Sequence, residues 1–192
     1  MKRPRRRALR LALAASLAIL GALAATASVR ADAESIGEYD LKAAFLLNFA
    51  QFVEWPSASL DGSGAPFCIG VLGHDPFGSA LDEMVRGATV RDRPLVVRRA
   101  GDAASLASCQ IVYVSRSERS RWPSEAKAFD ASAVLTVSDI EDFAERGGII
   151  ELYLENRRVR FEINRSQAER SGLKIGSELL SLGKIVGPGA ED

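Results

Sequence analysis

The chain has 192 residues, 25 basic and 25 acidic, with two cysteines and one histidine. So few Cys and His residues leave no set of zinc ligands, and no metal or cofactor is expected. Lys2, Arg3, Arg5, Arg6, Arg7, Arg10 and Arg30 all lie in residues 1–31, which hold no acid; the rest carries 18 basic against 25 acidic residues, a net of about −7, which argues against nucleic-acid binding.

Residues 1–31 read as a secretory signal peptide. A basic head precedes a Leu- and Ala-rich run from Leu11 to Ala27, and Ala25-Thr26-Ala27, Val29-Arg30-Ala31 and Ala31-Asp32-Ala33 offer cleavage sites. The alternative is an uncleaved anchor, since roughly 17 apolar residues is near the lower limit for spanning. Cleavage leaves residues 32–192 as a single domain with no direct membrane insertion. In an oxidising compartment Cys68 and Cys109 read as one disulfide.

After a polar lead, Asp32 to Glu38, a helix is predicted from Tyr39 to about Trp55. Tyr39, Ala43, Leu46, Ala50 and Val53 form one apolar stripe; Leu41, Phe45, Phe49 and Phe52 form a second beside it. Lys42, Asn48, Gln51 and Glu54 leave a thin polar edge, and Pro56 ends the helix. Either both stripes are internal, or the stripe with Phe45, Phe49 and Phe52 meets a second chain.

Strands are then expected at Phe67–Gly73, Pro94–Arg98, Gln110–Ser115 and Ala133–Ser138, separated by helical segments at Phe77–Val85, Asp102–Ala107 and Pro123–Phe129. Ser138-Asp139-Ile140-Glu141 reads as a capping box opening a helix that ends at Gly147-Gly148. Ile149–Leu154 and Arg158–Ile163 read as an antiparallel hairpin. Ser166-Gln167-Ala168-Glu169 reads as a second capping box, Ser177 to about Val186 as a last helix, and the final six residues as a frayed tail. The expected fold is α/β: a mostly parallel central sheet with helices on both faces, ending in an antiparallel hairpin and C-terminal helices.

The cysteines test the strand order. In a 2-1-3-4-5 sheet the first and third strands are neighbours, and residues at the same end of adjacent strands sit about 5 Å apart, within reach of a disulfide. A closed loop of about 40 residues is worth roughly 4 kcal/mol in the chain-entropy model. Two buried free thiols are the alternative.

Catalytic signals are weak. His74 and Asp75, in the turn Gly73 to Gly78 after the first strand, are a possible ligand edge. A helix cap by Asp75 followed by Pro76 explains the same residues without a ligand. No nucleophile has a base beside it. Asp139, Glu141 and Asp142 read as a helix start favoured by the dipole, and Arg91, Arg93, Arg98 and Arg99 as a solvated strand edge. No catalytic residue is assigned.

Taken together, KAAFLLNFAQFVEWP, FCIGVLGHDPFG, SCQIVYVS, VLTVSDIEDFAERGGIIEL and RVRFEINRSQAERSGLKIGSELLSLGKIV resemble the YfiR family of exported bacterial proteins. The resemblance runs from about Tyr39 to Val186. It implies a periplasmic α/β domain that dimerises and is not an enzyme. It also implies negative regulation: the protein holds the periplasmic sensor domain of an inner-membrane diguanylate cyclase of the YfiN type inactive, lowering cyclic di-GMP and biofilm formation. Redox state is implicated in the family, and Cys68 and Cys109 match one of its cysteine pairs; residues 139–152 lack the second. A periplasmic small-ligand sensor and an exported enzyme are the other readings.

Overall fold

The computed structural model describes residues 37–60, 64–130 and 132–188. The expected leader, the lead through residue 36 and the tail from residue 189 lie outside the described residues. Helix α1 (residues 37–52) runs into strand β1 (Val53–Glu54). β2 (Phe67–Leu72), α2 (Ser79–Val85), β3 (Thr89–Val90), β4 (Arg93–Ala100) and β5 (Ile111–Val114) follow. Then come α3 (Trp122–Glu125), β6 (Leu135–Ser138), β7 (Ile150–Glu155), β8 (Arg158–Asn164), α4 (Arg165–Arg170), β9 (Lys174–Ile175), α5 (Ser177–Leu182) and β10 (Lys184–Val186). The described residues from Tyr39 onward make one compact unit.

Among the described residues eight strands form one sheet in the order β10-β8-β7-β6-β5-β2-β4-β3. The run β4-β2-β5-β6-β7 is parallel throughout and realises the expected 2-1-3-4-5 order. β7 and β8 are the expected hairpin, turned by Asn156 and Arg157 in the left-handed region (φ 50° and 62°), the geometry of a two-residue hairpin loop. Every residue of β2, β5 and β6 is buried; β2 and β5 read as continuous runs without charged residues, whereas β6 alternates, with Thr136 and Ser138 buried beside Leu135 and Val137. β1 pairs with β9 in a separate two-stranded ribbon.

The sheet separates two apolar clusters. One holds Leu46, Phe49, Phe67, Tyr113, Phe161 and Leu179 under α1 and α5. The other holds Leu72, Leu106, Val112, Trp122, Phe129 and Phe143. The Cys68–Cys109 disulfide belongs to the second and joins the amino ends of neighbouring β2 and β5 with Cα atoms 4.6 Å apart.

Four local expectations are corrected. α1 stops at residue 52, because Val53 and Glu54 pair with Ile175 and Lys174 instead of continuing the helix. Residues 141–147 form turns, not a helix; Asp142 sits at φ 61°, which a right-handed helix does not admit. The second capping box gives way to Asn164, whose side chain accepts from the Gln167 amide. The last helix ends at Leu182, and Lys184–Val186 joins the sheet beside β8. Gly183 makes that close approach possible: a Cβ there would lie 2.5 Å from the Phe161 ring.

One cross-strand pair works against the fold. Glu151 and Glu162 face each other across β7 and β8, and Glu151 is buried. Like charges directly opposite are unfavourable. Burial first, then the Glu162 and Asp142 charges, raise the Glu151 carboxyl above the ordinary glutamate value, against the Ala144 amide that bonds it. An acid raised in the folded state costs stability once the pH exceeds its unfolded value and costs nothing well below it. Glu151→Gln is therefore expected to raise the melting midpoint by a few degrees near neutral pH and to leave it unchanged near pH 4. Thermal melts at both pH values check this; equal midpoints of variant and parent at neutral pH would contradict it.

Candidate functional site

The buried seam of α1 is Lys42, Ala43, Leu46, Phe49, Ala50, continued by Val53. Spacings of three and four put these residues on one helical face. Lys42 is thus part of the seam, with its side chain 1% exposed. Its ammonium meets the Asp139 carboxylate at 2.6 Å, just past the end of β6. Tyr39 donates to the same oxygen at 2.9 Å, and Tyr113 on β5 donates to the other at 2.7 Å. Arg116 adds its guanidinium at 3.2 Å.

The electrostatics follow from this crowd of donors. Burial works against the Asp139 charge, but Lys42, Tyr113 and Arg116 outweigh it and hold the carboxyl below its usual value. Burial and the neighbouring Asp139 charge push the Tyr113 hydroxyl well above the ordinary phenol range. A carboxylate covered by an ammonium, a guanidinium and two phenols fastens elements together; here it ties α1 to the carboxyl ends of β5 and β6. The expectation that Asp139 lies in a helix start favoured by the dipole is corrected, since turns follow it. Ser138, the first residue of the expected capping box, makes a local turn, accepting from the Ile140 amide and donating to the Val114 carbonyl.

The aromatic stripe of α1 divides. Phe49 is fully buried, with ring centroids 5.8 Å from Phe45 and 5.5 Å from Phe161, so its side chain belongs to the core and not to a contact surface. Phe45 is half-buried against Phe161. Phe52 and Leu41 are 44% and 45% exposed, and they are the outward part of the stripe. Leu182, at the end of α5, is 71% exposed.

The turn after β2 is filled by its own groups. The His74 amide donates to Ser117 Oγ at 3.0 Å. Asp75 Oδ1 accepts from the Phe77 amide, and Asp75 Oδ2 is held by Arg99 at 2.7 Å. Arg99 also grips Asp82, whose carboxyl it holds below the usual range. α2 begins only at Ser79, so Asp75 makes a local turn rather than a helix cap. Gly73 adopts φ +85°, and a Cβ there would lie 2.4 Å from both Ser117 Oγ and Glu118 Oε1. The basic group in and just before β4 is likewise engaged: Arg91 bonds the Val53 carbonyl, Arg93 the Leu60 and Ala65 carbonyls, and Arg98 the Ser108 hydroxyl.

The open part of this sheet edge lies one strand over. A cleft of about 380 Å³ is lined by Arg116, Arg119, Asp139, Ile140 and Glu141. Among the described residues no group of His, Cys, Asp and Glu is arranged to hold a metal ion, and no helix is long and apolar enough to cross a membrane.

The family model described as YfiR/HmsC-like matches residues 39–184. The chain belongs to the YfiR/HmsC-like family. The matched span takes in the Lys42–Asp139 pair, the disulfide and the outward face of α1. Among curated proteins none matches the chain in sequence. A solved structure described as a conserved domain protein from Vibrio cholerae O1 biovar El Tor is similar at 15% identity with a TM-score of 0.45, covering 62% of this chain and 54% of that one. This chain thus spans about half the length of that protein.

Two features of this YfiR/HmsC-like chain escaped the sequence reading. Lys42 was open to detection, since it stands four, seven and eleven residues before Leu46, Phe49 and Val53 on the buried face. Its partner, 97 residues away, was not.

Proposed function

We propose that this protein is an exported, periplasmic regulator that represses an inner-membrane diguanylate cyclase by binding the cyclase's periplasmic sensor domain. It lowers cyclic di-GMP signalling and works as a homodimer, without catalysing a reaction itself. The observation that carries this reading is the YfiR/HmsC-like match over residues 39–184. The exposed Leu41 and Phe52 on α1 support it, because side chains at this spacing suit a helix seated in an apolar groove. The charge of the chain beyond residue 31 and the two paired cysteines fit an envelope protein.

Deleting the gene should raise cellular cyclic di-GMP and biofilm mass, and cross-linking in intact cells should recover a transmembrane cyclase with the protein. Phe52→Asp, at an exposed position, should weaken that capture while leaving the melting midpoint in place. Unchanged cyclic di-GMP after deletion would sink the proposal. Undiminished capture by Phe52→Asp would remove α1 from the contact surface.

A further inference from the structure

The cleft beside Asp139 is the least explained polar feature of the molecule. It opens at the carboxyl ends of parallel strands β5 and β6, the edge where α/β sheets place ligands. Its volume, about 380 Å³, suits a small molecule. Two guanidinium groups, Arg116 and Arg119, line it beside Asp139 and Glu141, while the buried Lys42 holds Asp139 from within the fold.

The two arginines differ in how firmly they are held. Arg116 rests on the buried Asp139, reaching its carboxylate at 3.2 Å and its carbonyl at 3.3 Å. That contact fixes a guanidinium at the cleft wall. Arg119 pairs with Glu141 at 2.8 Å, but the Glu141 side chain is 74% exposed. An ion pair so open to water is weak and exchangeable. Glu141 therefore occupies Arg119 in the way a ligand carboxylate would.

We propose that this cleft binds a small dicarboxylate, one carboxylate displacing Glu141 from Arg119 and the other meeting Arg116. Planar carboxylates match the guanidinium fork, which favours them over compact anions. Because Arg116 also touches Asp139, a bound ligand acts on the same carboxylate that fastens α1. The site does not depend on the cyclase reading and is tested without a partner protein.

The test titrates the purified protein with succinate, acetate and inorganic phosphate at constant ionic strength, following heat and amide chemical shifts. Succinate should bind saturably, with Kd about 1 mM or tighter, more strongly than acetate or phosphate. Arg119→Gln should weaken succinate at least ~10-fold. Glu141→Gln, which removes the internal competitor, should tighten it several-fold. Both positions are exposed, so matching melting midpoints confirm intact folds. No saturable succinate binding, or binding untouched by Arg119→Gln, overturns the proposal. Phosphate binding tighter than succinate overturns the dicarboxylate assignment.

Discussion

Replacing Lys42 with Met is expected to destabilise the protein by about 3–5 kcal/mol, the usual cost of removing one partner from a buried ion pair. Met fills much of the same space, so the loss reports the charge rather than a cavity. Asp139, with its side chain fully buried, would keep two phenols and Arg116 but lose its shortest contact. Asp139→Asn in the Lys42→Met background should recover part of the loss. Denaturant melts of the four proteins should give a coupling energy of at least ~1 kcal/mol. The pH dependence has a fixed sign. Asp139 titrates below its unfolded value, so its stabilisation is present above that value and disappears as pH falls through the folded one. Asp139→Asn should flatten this part of the acid limb of stability. Indistinguishable melts for Lys42→Met and the parent would show that α1 is not fastened this way.

Phe49→Asp is expected to abolish the folded state, whereas Phe52→Asp leaves stability within about 0.5 kcal/mol of the parent. Phe49 is fully buried between Phe45 and Phe161. Truncating such a ring to Ala costs about 3–5 kcal/mol, and an unpaired carboxylate in its place costs more. Phe52 stands three residues on and is 44% exposed. The pair separates folding from recognition: only a variant that keeps its melting midpoint and loses partner capture reports a contact. Circular dichroism melts check the prediction, and a cooperative transition near the parental midpoint for Phe49→Asp would refute the packing.

The centre of the sheet was legible because β2 and β5 are short runs without charged residues, and because Cys68 and Cys109 agree with the order of those strands. The C-terminus was not. Leu179, Leu182, Ile185 and Val186 have helical spacing, but Gly183 interrupts them and the last two join β10. The segment after β6 misled for a different reason. Ser138-Asp139-Ile140-Glu141 satisfies a local rule for starting a helix, yet Asp142 takes a left-handed φ of 61° and Asp139 is held by a lysine 97 residues away. Local pattern reports what a segment prefers alone and carries no record of a charge that arrives from the other side of the sheet. The aromatic stripe on α1 grouped Phe49 with Phe52, although Phe49 also keeps the spacing of Leu46 and Val53; it packs on Phe161, while Phe52 points outward.

The 97-residue separation between Lys42 and Asp139 also sets an order of events during biogenesis. The ribosome makes α1 early, yet neither its anchoring carboxylate nor Phe161 exists until most of the chain has been synthesised. A nascent chain therefore carries an oily amphipathic helix with nowhere to dock, a long-range closure of the kind that slows folding. That interval leaves the early helix open to chaperones that bind nascent chains.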